Sequence, residues 1–426
     1  MFINYLIKIR GYNIMNDLMN MLKKLYEVSV NSNIFTRSET SRSRKPFDDL
    51  EYIEANILET GEFDIEKYSL NTIRDEFNEL RKINILGLDS SSRVIDTPYI
   101  FIGVGSAFII SRTKGALVKC PDFYDFILSS KKNRYPCRFL SIVPEVEGIR
   151  DFIEENFAEI AYLKNPNNIP YDQFYNKYAI LDELRTRLEN AVLKQLIHEY
   201  NIYEPTLLFL DGPLYFIPAD LHQYMYRKTS NLTNNVYVNA WITLMNEKTR
   251  IIKQAYEKNI PVIGIVKRIY RSTLLSKTDP FEICDKKSYI NDEAYLSIII
   301  NKYLRNKEPK IIVLGPIKYS VPRTNMLDLP EKIIYYICIP KRKIIGETSY
   351  KNYVFYRIEY FPDKKLYEIT DPVKIALYDS IGMGTTIPLT ILLVDKIVKK
   401  MTAGITSYIL RAMNISSEQT LHYINL

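Results

Sequence analysis

The sequence predicts an α/β protein, a mixed sheet flanked by helices, and three observations carry the expectation. Two largely apolar segments each lead into an aspartate: Ile83-Asn84-Ile85-Leu86-Gly87-Leu88-Asp89 before Ser90-Ser91-Ser92, and Thr206-Leu207-Leu208-Phe209-Leu210-Asp211 before Gly212-Pro213. Apolar runs bounded by turn residues read as buried strands that end at the carboxylate. After the second, a helical pattern over residues 238–258 leads into the apolar run 260–267, a strand–helix–strand crossover between parallel strands. After the first, a further apolar run over residues 99–110 makes the core open as a β-meander.

The remaining elements follow in order. Residues 13–80 pattern as mostly helical, with Leu18, Met21, Leu22 and Leu25 at helical spacing. A Ser/Thr/Arg-rich stretch over 31–46 interrupts them and reads as a solvated loop, with phosphate contact by Arg37, Arg42, Arg44 and Lys45 as the sharper alternative. Gly103 and Gly105 lie inside an apolar run with no third glycine and no Lys-Ser/Thr after them, so they read as strand glycines rather than a phosphate loop. Residues 112–178 are weakly patterned and are expected to decorate the sheet edge. A helix over 180–200 carries the stripe Leu181, Leu184, Leu188, Ala191, Val192 and Leu196. A helix over 290–304, a short strand over 311–314, alternating strands over 333–340 and 354–361, and a helix over 388–411 complete the pattern.

Bulk composition narrows the class. The chain has 426 residues, 46% hydrophobic and 25% charged, which excludes wholesale disorder. A net charge of +7 is compatible with a polyanionic partner without requiring one. Cys120, Cys137, Cys284 and Cys338 are scattered with no C-x-x-C pair, so they read as buried thiols of a cytoplasmic protein rather than a zinc or redox motif. The longest uncharged run, residues 380–394, spans about 22 Å as a helix, short of a bilayer core of roughly 30 Å. The first twelve residues carry Lys8 and Arg10 and lack a signal-peptide pattern.

Asp89 and Asp211, emerging from strand ends, are candidate ligands for divalent cations, which prefer oxygen donors. Either alone also reads as a turn-capping aspartate. A two-metal phosphoryl-transfer site wants a further carboxylate. Of Glu183, Glu189 and Glu199 on the preceding helix, Glu183 pairs with Arg187 on a solvated face, whereas Glu189 borders the apolar stripe; Glu189 is preferred, against a bland reading as a surface partner of Arg185. Lys267, at the end of its strand, is placed to hold a scissile phosphate or to stabilise developing charge. With Arg268, Tyr270 and Arg271 it forms a basic run with an interleaved aromatic, suited to a nucleic-acid backbone and a stacked base, or to an ordinary basic loop.

At these residues the chain resembles the archaeal NurA nuclease family. The matching pieces are Leu86-Gly87-Leu88-Asp89-Ser90 with Arg93, then Leu207 to Leu214, Gly264-Ile265-Val266-Lys267-Arg268, Asn291-Asp292-Glu293-Ala294 and Arg357-Ile358-Glu359, in family order over residues 80–411. The resemblance implies an RNase H-like core and a Mn²⁺-dependent (or Mg²⁺-dependent) DNA nuclease, a homodimer acting with a HerA-type hexameric translocase in DNA end resection. It implies Asp89 and Asp211 as metal ligands, Glu189 as the helix glutamate of the site and Lys267 as the basic position after its strand; in the reading that follows, Lys267 and Arg93 position the DNA strand. One departure stands out. Where the family carries Tyr-Pro-Leu with a histidine eight residues after the tyrosine, this chain has Ile387-Pro388-Leu389 and Asp395; Asp395 reads either as a substitute ligand or as a helix-surface aspartate.

The expected organisation is an N-terminal helical extension over 1–80, a nuclease domain over 81–411 with an insertion at 112–178, and a tail over 412–426. The rival readings are a non-catalytic DNA-binding or assembly subunit, motivated by the missing tyrosine and histidine, and an enzyme of the same fold acting on RNA or a hybrid.

Overall fold

A computed structural model describes residues 19–25, 27, 56–68, 77–122, 137–145, 147–200, 204–216, 232–282, 290–303, 310–321, 327–341 and 353–413. The frame is one eleven-stranded mixed sheet in the order β1-β9-β10-β11-β8-β7-β2-β3-β5-β6, with β4 also paired to β3. Its strands are β1 (Asn56–Tyr68), β2 (Asn84–Asp96), β3 (Ile100–Ser111), β4 (Gly115–Cys120), β5 (Leu140–Pro144), β6 (Ala161–Tyr162), β7 (Thr206–Asp211), β8 (Val262–Val266), β9 (Ile311–Ser320), β10 (Lys332–Pro340) and β11 (Tyr353–Tyr360). The helices that bear on the site are α1 (Lys177–Glu199), α2 (Leu232–Glu257), α3 (Asp292–Tyr303), α4 (Pro372–Ser380) and α5 (Leu389–Ala412). The α/β class and the parallel β7–α2–β8 crossover agree with the sequence reading.

Three features differ from it. β1 occupies residues expected to be helical and pairs antiparallel with β9 at the sheet edge; the alternation Phe63-Asp64-Ile65-Glu66 is a short strand period that a helical average over residues 13–80 smooths away. β2 does not end at Asp89. It runs on to Asp96, paired with β3 from Leu86 onward, and the Ser90 hydroxyl is engaged by Glu189 of α1. What ends near Asp89 is the parallel pairing with β7, whose last registered pair is Leu88 with Leu210. Thirdly, Cys120 and Cys137 are joined in a disulfide with Cα atoms 5.7 Å apart, while Cys338 is a buried free thiol. Cys120 pairs with Ala107 of β3 and Phe139 accepts from Gly105 of the same strand. Both flanks of β3 therefore bring the two sulfurs together over a separation that matches no sequence motif. The loop residues 31–46, Cys284, His222 and His422 lie outside the described residues.

The two faces of the sheet receive different helices, and glycine makes the approach possible. At Gly87 of β2 a Cβ would lie 2.7 Å from the Thr390 side chain of α5. At Gly105 of β3 it would lie 2.5 Å from Leu188 of α1. Successive strand residues point to opposite faces, so Gly87 and Asp89 face α5 while Ser90 faces α1. Ser106, facing the same way as Asp89, donates to Val398 O of α5 at 3.1 Å. The start of α5 is tied down by Asp379 at the end of α4. Its buried carboxylate accepts from Thr390 N at 2.9 Å and from Arg112 at 2.8 Å, satisfying a backbone donor that the first turn of a helix otherwise leaves open.

Helix α1 begins at Asn176, whose side chain accepts from Tyr178 N at 3.0 Å and Ala179 N at 3.3 Å. It is buried on more than one side. Glu183 is 2% exposed and takes hydrogen bonds from Tyr171 and Tyr175, each at 2.5 Å, instead of lying on a solvated face. Burial, against the help of the two tyrosines and Arg187, pushes its carboxyl from the ordinary 4.5 up to about 7. A carboxyl raised on folding binds its proton more tightly in the native state, so its contribution is complete below about pH 4.5 and is lost as pH rises through about 7. The stability difference between wild type and Glu183→Gln is therefore expected to shift by up to about 3 kcal/mol against the wild type between pH 5 and 8. Urea unfolding of both proteins across that range checks it, and parallel pH profiles would refute it.

A buried ionic network locks the other half of the sheet. Lys332, Glu359 and Asp292 are fully buried and Arg357 is 2% exposed. Glu359 accepts from Lys332 at 2.9 Å and from Arg357 at 2.8 Å. Arg357 reaches Ser272 at 2.9 Å, and Asp292 caps Leu275 N at 2.8 Å while accepting from Tyr336 at 2.5 Å. Lys332 also donates to Tyr215 O at 3.2 Å, and Glu359 takes Leu214 N at 3.3 Å. The network thus holds the Gly212–Tyr215 turn that follows Asp211.

Candidate metal and phosphoryl-transfer site

β2 and β7 run parallel and in register, so Asp89 and Asp211, one residue beyond the Leu88–Leu210 pair, stand side by side on the α5 face. α5 crosses that face and supplies Asp395. Carboxylate oxygens of Asp89, Asp211 and Asp395 lie within 4.8 Å of one another. Asp89 is 3% exposed; the side chains of Asp211 and Asp395 are 12% and 25% exposed, so the group opens on the Asp395 side. Lys267, just past β8, binds Asp211 at 2.6 Å and Asp395 at 3.5 Å. Lys399, one turn beyond Asp395, binds it at 2.8 Å.

Charge explains the titration behaviour. Burial, then the Asp211 charge, holds the Asp89 carboxyl well above the usual carboxylate range. Burial also raises Asp211, only partly offset by Lys267. Asp395 is lowered, since Lys399 and Lys267 together outweigh its burial. For Lys267 burial works downward, but Asp211 and Asp395 prevail and raise it. Crowded, desolvated carboxylates of this kind are held together at an energetic cost that a bound cation relieves. The donor set is all oxygen, hard and anionic, with no sulfur or imidazole, which fits Mg²⁺, Mn²⁺ or Ca²⁺ better than zinc or copper.

The other expected residues take distinct places. Glu189 does not join the three carboxylates. It projects from α1 toward the opposite face, where it accepts from Ser90 Oγ at 2.5 Å and pairs with Lys248 at 2.8 Å. Its carboxyl is held below its ordinary range, because Lys248 and Arg185 outweigh burial. Arg93 lies half-buried on β2, four residues beyond Asp89 and on the same face. Arg268 and Tyr270 are exposed on the turn after Lys267, and the Arg271 guanidinium sits 5.7 Å from the Tyr270 ring centre. Sequence reasoning treated Arg185 only as a surface partner of Glu189. It is instead packed beside the site, with Nε 3.4 Å from Ser90 Oγ and its charge felt by both Asp89 and Asp211. Its i,i+4 relation to Glu189 was the available signal.

The chain belongs to the NurA domain family, whose sequence model matches residues 83–369. Among solved structures it is similar to the NurA nuclease from Sulfolobus solfataricus, at 11% identity and TM-score 0.38 over 94% of this chain and 97% of that one. It is also similar to a NurA crystallised with manganese, at 10% identity and TM-score 0.36 over 82% of this chain and 94% of the other. No curated protein matches the chain. Among the described residues no helix is long and apolar enough to cross a membrane.

Proposed function

We propose that this NurA-family chain is a metal-dependent deoxyribonuclease that hydrolyses DNA phosphodiesters at Asp89, Asp211 and Asp395. The convergence of three carboxylates from β2, β7 and α5 within 4.8 Å is the observation that carries the reading. A divalent ion held there, Mn²⁺ or Mg²⁺, would supply an activated water and neutralise charge at phosphorus and on the leaving oxygen. Lys267 links Asp211 to Asp395 and offers an ammonium to a phosphate oxygen. Arg185 adds a fixed positive charge behind Asp89. Glu189 acts through Ser90 and Lys248, holding β2 and α1 in place. Arg93, Arg268, Tyr270 and Arg271 are assigned to the strand, the cations to phosphates and the ring to a base. The replacement of the family's histidine by Asp395 keeps a ligand at that position and makes the site more anionic.

The test is cleavage of end-labelled single- and double-stranded DNA, beside RNA, with Mn²⁺, Mg²⁺ or EDTA. Metal-dependent products from DNA are expected. Binding of DNA with no cleavage under any metal would favour the assembly-subunit reading, which the absence of the family's tyrosine at Ile387 supports. The family resemblance further supports a homodimer working with a HerA-type translocase in DNA end resection; light scattering and co-sedimentation with such a translocase test both.

A further inference from the structure

A second basic feature lies away from the carboxylates. Helices α1 and α2, with residues between Arg138 and Asn168, enclose a cleft of about 960 Å³. Arg138, Lys164, Arg187, Lys194 and Arg250 line it against two carboxylates, Glu154 and Glu247. At 100° per residue, Arg187, Asn190 and Lys194 leave α1 on roughly the opposite side from Arg185 and Glu189, so the body of the helix, about 10 Å across, separates the cleft from the carboxylate site.

The cleft is built rather than incidental. The Tyr162 ring carries the Arg187 guanidinium 4.2 Å and that of Arg138 5.6 Å from its centre, and Arg187 also donates to Lys164 O at 3.0 Å. The two guanidiniums are therefore held in place before any ligand arrives. Glu247 pairs with Lys194 and accepts from Asn190 Nδ2 at 3.1 Å. That bond fixes which way the Asn190 amide points. It leaves Oδ1 a buried acceptor without a hydrogen-bond donor, on a residue only 2% exposed. Arg138 Nε is a buried donor without an acceptor. An open cleft with surplus cations, one orphaned acceptor and one orphaned donor calls for a ligand that is anionic and also carries N–H or O–H groups.

We propose that this cleft binds nucleotide units of a DNA strand outside the cleavage site, its arginines and Lys164 taking phosphates and Asn190 Oδ1 taking a base N–H. The choice of DNA rests on the nuclease reading above. The test uses the full chain in EDTA, so that cleavage plays no part. A fluorescein-labelled single strand of about fifteen nucleotides is titrated by anisotropy into wild type and Arg138→Glu/Arg250→Glu. The double variant is expected to bind at least tenfold more weakly and to lower the salt slope by about one to one and a half. Unchanged affinity and slope in a folded variant would overturn the proposal. A footprint on the wild type needs no variant: the strand should slow acetylation of Lys164 at least threefold, and equal labelling with and without DNA would overturn it. Equal protection of Lys164 by dAMP alone would replace the strand by a free nucleotide and overturn it too. A chain that cleaves nothing yet gives the footprint separates this claim from the nuclease reading.

Discussion

Asp211→Asn is expected to lower metal-dependent DNA cleavage by about a thousandfold or more while leaving the chain folded. Asp211 shares the site with the other two carboxylates and with Lys267, which binds it at 2.6 Å, so losing its charge removes a proposed metal ligand and leaves the ammonium only its 3.5 Å contact with Asp395. The fold should survive, because burial already raises the Asp211 carboxyl and a neutral amide of the same shape satisfies the same pocket. Asp89→Asn should behave alike, and more clearly so for stability, since Asp89 sits among like charges. Single-turnover cleavage rates with matched thermal melts measure both effects. Activity within tenfold of wild type in either folded variant would remove that carboxylate from the chemistry.

The second large effect is structural. Glu359→Ala is expected to destabilise the protein by about 3–5 kcal/mol, because it strands buried Lys332 without a counter-charge and leaves buried Arg357 facing Asp292 at 3.9 Å. It also releases Leu214 N, so the turn after Asp211 should loosen and cleavage should fall in the molecules that remain folded. Denaturant unfolding measures the first effect; a loss below about 1 kcal/mol would show that water reaches and solvates the two cations. This network gives a physical reason for the Asn291-Asp292 and Arg357-Ile358-Glu359 pieces of the family pattern: they fasten α3 and the Asp211 turn to the sheet.

How much was legible in the sequence depends on range. The β7–α2–β8 crossover and the long α1 and α5 were readable because apolar periodicity is a local signal. Asp89 and Asp211 stood out because each follows an apolar strand segment, while the parallel β2–β7 register that sets them side by side is a tertiary fact. Tertiary contacts hid the rest. β2 passes through Ser90–Ser92 because β3 pairs with it all the way, which no residue in β2 announces. Glu183 looked solvated because its tyrosine partners, Tyr171 and Tyr175, precede the helix and fold back over it. The Cys120–Cys137 bond depends on both ends meeting beside β3. Asp395 was left between ligand and surface residue, since only the packing of α5 at Gly87 sets where that helix lies. The role of Arg185 was hidden by reading it as half of a local helix pair.

The most direct test of the central claim is to locate the metal itself. Crystals of the chain soaked in Mn²⁺ and measured at the manganese absorption edge should show an anomalous peak bounded by Asp89, Asp211 and Asp395, lost in Asp89→Asn. A peak elsewhere, or none at millimolar Mn²⁺ with Asp211 and Asp395 still paired to Lys267 and Lys399, would contradict it.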